Sequence, residues 1–421
     1  MCKMEKIIIE QSKELNGEVK ISGSKNSSLP ILAATILYGG TYKLSNVPDI
    51  SDVRTMLKLI ESLGGKYTFK NNEATIDSTE ISSYKAPYEL VKTMRASVVV
   101  WGSLLGRFGK AKISFPGGCA IGDRPVDQHI KGFESIGYST SINNGYLETK
   151  KINKVGGEHF FDLKSVTGCE NVILASVLGD NKTILKNCSE EPEVVDLINF
   201  LNYCGSKIVK TNDTIVISPT SSLKPPEKPY QIISDRIEAG TFGVLGCMPG
   251  NKIKLKNINS EDLEVPLNII RELGAKLDIS GDAITIESTN EIKAFNIKTE
   301  SFPGFPTDLQ AQFMVAAALA NGESKIKEEI FPSRFIHVAE LRKLGANIKL
   351  ENNTAIVNGV AGLNGARMQA SDLRASACLI IAGIVAKNKS EIGRVYHLDR
   401  GYEKIDNKLK GLGVKIWREK E

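Results

Sequence analysis

A glycine-marked internal period is the feature that most limits what this 421-residue chain can fold into. Six amphipathic, helix-like stretches each end in an apolar or small residue, a glycine and a short β-like run. The glycines are Gly64, Gly137, Gly205, Gly274, Gly345 and Gly413, with gaps of 73, 68, 69, 71 and 68 residues. So regular a period means one supersecondary unit used six times, and it lets every other residue be read by its phase.

A second helical signal lies earlier in each unit, starting near Lys25, Arg95, Ser165, Arg236, Asp308 and Arg374. Each has a polar opening followed by small and apolar residues, as in Thr307-Asp308-Leu309-Gln310-Ala311-Gln312-Phe313-Met314-Val315-Ala316. Runs apolar nearly all round predict buried helices. Stretches such as Val194-Val195-Asp196-Leu197-Ile198-Asn199-Phe200-Leu201 have an apolar stripe and a polar back, which predicts outer helices. Alternating segments such as Ala283-Ile284-Thr285-Ile286-Glu287 and Ala355-Ile356-Val357 predict strands. Each unit is therefore α/β with two helices.

A unit of about 70 residues buries too little surface to be secure alone, whereas three sharing their inner helices make a domain of about 200 residues. Two such domains fit the length. The segment Ser221-Ser222-Leu223-Lys224-Pro225-Pro226-Glu227-Lys228-Pro229 has the proline and charge of a stiff linker, so the second domain is expected to begin near Ser234.

A formal net charge of +5 is mild for this length, and no basic block or aromatic–basic ladder points to nucleic acid. Anionic small molecules fit better. Met1-Cys2-Lys3-Met4-Glu5-Lys6 leads into a short apolar run rather than a signal-peptide core, with Met1 and Met4 both candidate starts. No uncharged apolar stretch is long enough to span a membrane. A soluble, cytoplasmic protein is expected, with a monomer favoured. Seven cysteines show no paired spacing, and the four histidines His129, His159, His337 and His397 show no metal-ligand spacing. Neither a disulfide framework nor a metal or other cofactor is expected.

Most of the cysteines sit in apolar runs and read as small core residues. Cys119 differs, lying in Phe115-Pro116-Gly117-Gly118-Cys119-Ala120-Ile121-Gly122-Asp123-Arg124-Pro125. Proline and glycine at that density exclude a regular helix or strand, so the thiol rides on a loop beside a guanidinium that should lower its pKa.

Basic residues are placed by phase. Lysine outnumbers arginine 41 to 13, yet Arg54, Arg124, Arg334 and Arg400 fall 10 to 13 residues before a repeat glycine, near the start of an outer helix. Lys25, Arg95, Arg236 and Arg374 fall 38 to 42 before one, at the start of an inner helix. Singly these could be caps or surface ion pairs. As a set at pseudo-equivalent helix starts they suit an anion-rich site in the cleft between two domains. Asp52, Glu191, Asp235, Asp308 and Asp372 occupy comparable phases, where each is a candidate N-cap or a candidate general base.

Seven segments carry a resemblance that spans the chain: Ser22-Gly23-Ser24-Lys25-Asn26; Lys92-Thr93-Met94-Arg95-Ala96-Ser97; the Cys119 loop through Arg124-Pro125-Val126-Asp127-Gln128-His129; Asp235-Arg236-Ile237-Glu238-Ala239-Gly240-Thr241; Phe305-Pro306-Thr307-Asp308-Leu309-Gln310-Ala311-Gln312; Asp372-Leu373-Arg374-Ala375-Ser376; and His397-Leu398-Asp399-Arg400-Gly401-Tyr402-Glu403. Together they resemble the enolpyruvyl transferases, specifically the UDP-N-acetylglucosamine 1-carboxyvinyltransferases. The resemblance implies a two-domain inside-out α/β barrel in which residues 1–22 join 234–421 and residues 23–233 form the other domain. It implies transfer of the enolpyruvyl group of phosphoenolpyruvate to the 3′-hydroxyl of UDP-N-acetylglucosamine with release of phosphate, the first committed step of peptidoglycan synthesis.

By the same resemblance Cys119 is the acid over C3 of phosphoenolpyruvate and the residue alkylated by fosfomycin, and Asp308 is the base. Lys25 and Asn26 contact phosphoenolpyruvate and the sugar, and Arg124, Arg374 and Arg400 clamp phosphate and carboxylate. Asn26, Arg95, the segment Arg124, Pro125, Val126, Asp127 and Gln128, together with Ser165, Val166, Asp308 and the backbone at Ile330, contact the nucleotide sugar. Asp52, Glu191, Asp235 and Asp372 support them. Two places depart from the family: Thr167 stands where relatives commonly have glycine, and Pro332-Ser333 where they often have Glu-Asn. The related 5-enolpyruvylshikimate-3-phosphate synthases, a thiol hydrolase and a non-catalytic nucleotide-sugar binder are the alternatives. The first usually has a Lys-Ser pair in place of Lys25-Asn26.

Overall fold

The computed structural model describes residues 5–115 and 125–420. They form two compact units, one of residues 5–22 and 234–420, the other of residues 23–115 and 125–233. Each has its own hydrophobic core.

Within a unit the repeat is a short parallel strand, an inner helix, a strand, an outer helix and a β-hairpin. The repeat ending in Thr354–Asn358 shows it plainly. Asn296–Lys298 pairs parallel with Glu323–Lys327 across the inner helix Gln310–Ala318. Glu323–Lys327 pairs antiparallel with Thr354–Asn358, the second arm of the hairpin that follows the outer helix His337–Lys343. Strands Lys66–Lys70 and Glu73–Asp77, Tyr138–Asn143 and Tyr146–Lys151, Lys207–Thr211 and Thr214–Ser218, and Lys276–Ser280 and Ala283–Glu287 make the equivalent hairpins. Every one turns through two residues whose first, Asn71, Asn144, Asn212, Gly281 or Asn352, has positive φ. Two-residue turns that match strand twist need that conformation, which asparagine and glycine supply at least cost.

All six repeat glycines lie directly after the capping residue of an outer helix, with φ between +93° and +107°. A left-handed residue there ends the helix and turns the chain into the hairpin, which explains the period seen in the sequence.

The inner helices are buried as their composition predicts. All eleven residues of Arg236–Gly246 and all nine of Gln310–Ala318 are out of solvent. Each fully buried leucine or isoleucine contributes roughly 2 kcal/mol. In the other unit, Val100–Phe108 approaches Val166–Ser176 so closely that a Cβ on Gly102 would lie 2.2 Å from the Asn171 carbonyl oxygen. The Asn171 side chain accepts from the Gly102 amide at 2.6 Å, sealing that contact.

The ends of the chain complete sheets whose other strands are distant in sequence. Glu5–Glu10 lies between Lys389–Gly393 and Ile416–Lys420, supplying the hairpin arm that the sixth repeat lacks. Asn16–Lys20 is the parallel partner of Lys252–Lys256. Tyr230–Gln231 is in turn the parallel partner of Thr41–Ser45. The proline-rich segment 221–229 is therefore not a free linker: Leu223 is buried in the core of the unit that ends at residue 233, Pro225 packs over Gly40, and the chain adds a strand to that unit before leaving it.

Candidate active site

Cys119 and Arg124 lie outside the described residues. The remaining candidates fall at the starts of inner helices and in, or in the segments before, the first turns of outer ones.

In the unit of residues 5–22 and 234–420, Asp308 sits in the 3-10 turn Thr307–Leu309 that opens its inner helix. Arg334 donates through Nη1 to Asp308 Oδ1 at 2.8 Å. Arg374 donates through Nε and Nη2 to Asp308 Oδ2 at 3.0 and 2.9 Å. Both guanidiniums are almost fully buried, with 7% and 4% of their side chains exposed. Burial alone would raise the Asp308 pKa, but the adjacent Arg374 and Arg334 outweigh it and hold the carboxyl well below the usual carboxylate range. Arg374 moves the opposite way: burial disfavours its charge, and Asp308 more than compensates.

The supporting contacts are polar and buried. Gln312 Nε2 donates to the Asp308 carbonyl at 3.0 Å and lies within hydrogen-bond reach of Tyr402 Oη and Thr241 Oγ1. The Arg374 guanidinium stands 5.5 Å from the centre of the Tyr402 ring. Arg400 ends the turn Val395–Arg400 and is half-buried.

Two of the acidic candidates in this unit are caps. Asp235 accepts from the Ile237 and Glu238 amides at 2.9 Å, and Asp372 from the Arg374 and Ala375 amides at 3.0 Å. Capping by Asp372 fixes the first turn of the helix that presents Arg374. Ile330 is exposed at the side chain, and its amide donates to Glu328 Oε1 at 3.0 Å.

In the other unit, Lys25 begins an inner helix capped by Ser24, and its Nζ lies 2.9 Å from Asp52 Oδ2. Asp52 is in the first turn of Ser51–Ser62 and does not cap it. Glu191 stands at the cap position of Pro192–Tyr203 without capping the helix, and its carboxylate takes the Ser189 hydroxyl instead. Asn26 and Arg95 are half-buried at inner-helix starts. Pro125 and Asp127 are exposed, whereas Val126 is 6% exposed within the core, so only its backbone can face a ligand. Gln128 is buried and donates to Asp127 Oδ2 at 3.0 Å. Ser165 caps Val166–Ser176, accepting from the Gly168 amide at 3.1 Å. Thr167 Oγ1 lies 3.2 Å from His129 Nε2, an interaction that glycine there could not make.

One member of the phased arginine set does not belong with the others. Arg54 is largely exposed and pairs with Asp49 at 2.6 Å, an ordinary surface ion pair on an outer helix. Glu328 and Tyr402 make buried contacts around this cluster that the sequence does not assign, and Arg334, a member of the phased cation set, has no individual role in the sequence reading. For Glu328 a signal existed: strand alternation places Ser324, Ile326 and then Glu328 on the buried side.

The chain matches the family described as EPSP synthase (3-phosphoshikimate 1-carboxyvinyltransferase) over residues 9–409. The UDP-N-acetylglucosamine 1-carboxyvinyltransferase of Geotalea uraniireducens is 46% identical over 99% of this chain and all of the relative. UDP-N-acetylglucosamine 1-carboxyvinyltransferase 2 of Carboxydothermus hydrogenoformans is 45% identical over 99% of both. Among solved structures, the enolpyruvyl transferase NikO from Streptomyces tendae superposes with a TM-score of 0.90 at 21% identity over the whole of both chains. EPSP synthase from Acinetobacter baumannii gives 0.77 at 16% identity over 99% of this chain and all of that one. The fold is thus the two-domain inside-out α/β architecture of the enolpyruvyl transferases. The chain belongs to the EPSP synthase family, among the members named UDP-N-acetylglucosamine 1-carboxyvinyltransferase.

Proposed function

We propose that the protein transfers the enolpyruvyl group of phosphoenolpyruvate to the 3′-hydroxyl of UDP-N-acetylglucosamine and releases phosphate. The observation that carries this reading is the end-to-end identity of about 45% to relatives bearing that name. The chemistry of the candidate residues supports it. The donor brings a phosphate and a carboxylate and the acceptor a diphosphate, which calls for several cations at helix starts. Lys25, Arg95, Arg124, Arg374 and Arg400 are the groups proposed for that work. Asn26, Pro125 to Gln128, Ser165, Val166 and the Ile330 backbone are proposed to hold the nucleotide sugar.

In the addition step the 3′-oxygen bonds to C2 of phosphoenolpyruvate, its proton passes to a base, and C3 takes a proton from an acid. In the elimination step C3 gives up a proton and phosphate leaves from C2. We assign the base to Asp308 and the acid to Cys119. A carboxylate clamped by two guanidiniums is a feeble base. A donor anion that drew Arg374 toward itself would free one face of Asp308 for the sugar hydroxyl.

The product would commit the nucleotide sugar to peptidoglycan, in the cytoplasm. No helix among the described residues is long and apolar enough to cross a membrane. Fosfomycin, an anionic epoxide, would alkylate the Cys119 thiolate. Burial pushes the Cys204 thiol up to about 12 and raises Cys247 and Cys378 too, so these are poor nucleophiles at neutral pH. The adduct is expected on Cys119 by mass spectrometry. Cys119→Asp should turn over and resist the drug, and an adduct elsewhere would remove this role.

The family description names a shikimate-phosphate acceptor, which makes that reaction the second reading. Phosphate release from phosphoenolpyruvate decides between them. It should be rapid with UDP-N-acetylglucosamine and negligible with shikimate 3-phosphate, and the reverse result would overturn the assignment.

A further inference from the structure

Glu328 is a fully buried carboxylate with no part in the chemistry outlined above. Its Oε1 accepts from Thr299 Oγ1 at 2.8 Å, the Ile330 amide at 3.0 Å and the Phe331 amide at 2.9 Å. Its Oε2 accepts from Thr307 Oγ1 at 2.8 Å. Thr307 Oγ1 accepts in turn from Arg334 Nη1 at 3.0 Å, and the same nitrogen donates to Asp308 Oδ1. An unbroken hydrogen-bond chain thus runs Glu328, Thr307, Arg334, Asp308, Arg374. Its direction is fixed, because Thr307 has one proton and spends it on Glu328, leaving its lone pairs to receive Arg334.

A buried carboxylate is costly unless fully hydrogen-bonded, and Glu328 meets that condition through four donors. What Glu328 adds is geometry. One oxygen gathers the backbone of 330–331, and the other orients the threonine that steers Arg334 onto the proposed base.

We propose, resting on the reaction assigned above, that Glu328 is a positioning residue for enolpyruvyl transfer, aiming Arg334 and hence Asp308 through the Thr307 hydroxyl while bracing the segment at Ile330. The two arms are separable. Glu328→Gln can keep Oε1 for its three donors and turn its amide toward Thr307, which reverses the threonine hydroxyl and breaks the fixed direction of the chain. Thr307→Val removes the link outright at nearly constant volume. Thr307→Ser keeps it.

The test is steady-state phosphate release with both substrates, with melting temperature measured alongside. Glu328→Gln and Thr307→Val should each lose about tenfold or more in kcat with little change in KM for UDP-N-acetylglucosamine, and Thr307→Ser should recover most of the loss. The acidic limb of the kcat–pH profile should move to higher pH in both impaired variants, because Arg334 then holds Asp308 less firmly against Arg374 alone. A purely structural role predicts lower melting temperatures with unchanged kcat and pH limb in the folded fraction, and that result overturns the proposal. Should Glu328→Gln not fold, the comparison of Thr307→Val with Thr307→Ser decides alone: equal kcat in the two refutes it. Absence of phosphate release in the unaltered protein would instead refute the reaction itself.

Discussion

Asp308 accepts from Arg334 on one oxygen and from Arg374 on the other, so removing Arg374 has two effects. It takes away a cation proposed to hold the donor, and it leaves the carboxylate with a single guanidinium. Arg374→Ala should therefore lose at least about 2 kcal/mol of transition-state stabilisation, read from kcat/KM for phosphoenolpyruvate, even though Asp308 becomes intrinsically more basic. Near-normal turnover in Arg374→Ala would return this residue to a structural ion pair. A second residue, His337, is expected to set part of the acid sensitivity of folding. Burial, aided by Arg334 and opposed by Asp372, lowers its pKa from 6.5 to about 4. The unfolded chain then binds more protons than the folded one between those values, so stability is complete above about pH 6.5 and falls as pH drops toward 4, by up to about 3 kcal/mol. His337→Gln should flatten the dependence of melting temperature on pH in that window. Equal slopes in variant and parent would refute the assignment.

At the scale of elements, the repeat glycines allow a graded experiment. All six have φ near +100°, but their surroundings differ. A Cβ at Gly345 or Gly413 meets nothing within 4 Å, whereas at Gly64 and Gly137 it would lie 2.8 Å from the carbonyl oxygens of Glu80 and Lys154. Alanine at Gly345 or Gly413 should cost only the backbone strain, about 1 kcal/mol, and alanine at Gly64 or Gly137 distinctly more. Urea midpoints measure the difference, and equal losses at all four would mean that the steric contacts relax freely. The same glycines made the repeat legible in the sequence, because a helix that must end in a left-handed residue leaves a visible mark. Inner helices were legible for a similar reason, being apolar on every face. Segment 221–229 misleads because proline and charge describe a stiff chain equally well whether it spans open solvent or packs against a domain, as Leu223 and Pro225 do. The Lys25, Asp308 and Arg374 positions could be read from phase. Their partners could not: whether Asp235 caps a helix while Asp52 pairs with Lys25 depends on side-chain directions that no spacing encodes. Strand alternation marks Glu328 as buried, but its partnership with Thr307 stayed hidden because a hydrogen-bond relay between two segments has no periodic signature.

For the whole molecule, the most consequential fact is that the strands Glu5–Glu10 and Asn16–Lys20 complete sheets of the second half of the chain. Glu5 faces Lys420 directly across an antiparallel pair. In the five intact hairpins the residues at the equivalent closing pair, such as Glu351 and Thr354, are joined through two residues. The sixth repeat is thus a hairpin cut open at its turn, with its second arm at the other end of the sequence. Rejoining it is a matter of two residues: a chain running 234–420, then Asn-Gly, then 5–22 would have every strand of that unit's three sheets, both arms of the sixth hairpin and the turn chemistry that the other hairpins use. Residues 23–233 likewise include Tyr230–Gln231, the parallel edge strand of their first sheet. We expect the rejoined chain to fold alone, with cooperative urea unfolding and dispersed amide resonances. Residues 234–421 without the N-terminal strands should not, because Lys389–Gly393 and Ile416–Lys420 would be left without the strand that lies between them and Ile7, Ile8 and Ile9 would be missing from the core. Adding 1–22 as a peptide should restore only part of that order, since association must then offset the entropy that a covalent turn removes. If residues 234–421 unfolded as cooperatively without the N-terminal strands as the rejoined chain does with them, the strand exchange would be an accident of chain order rather than a condition of folding.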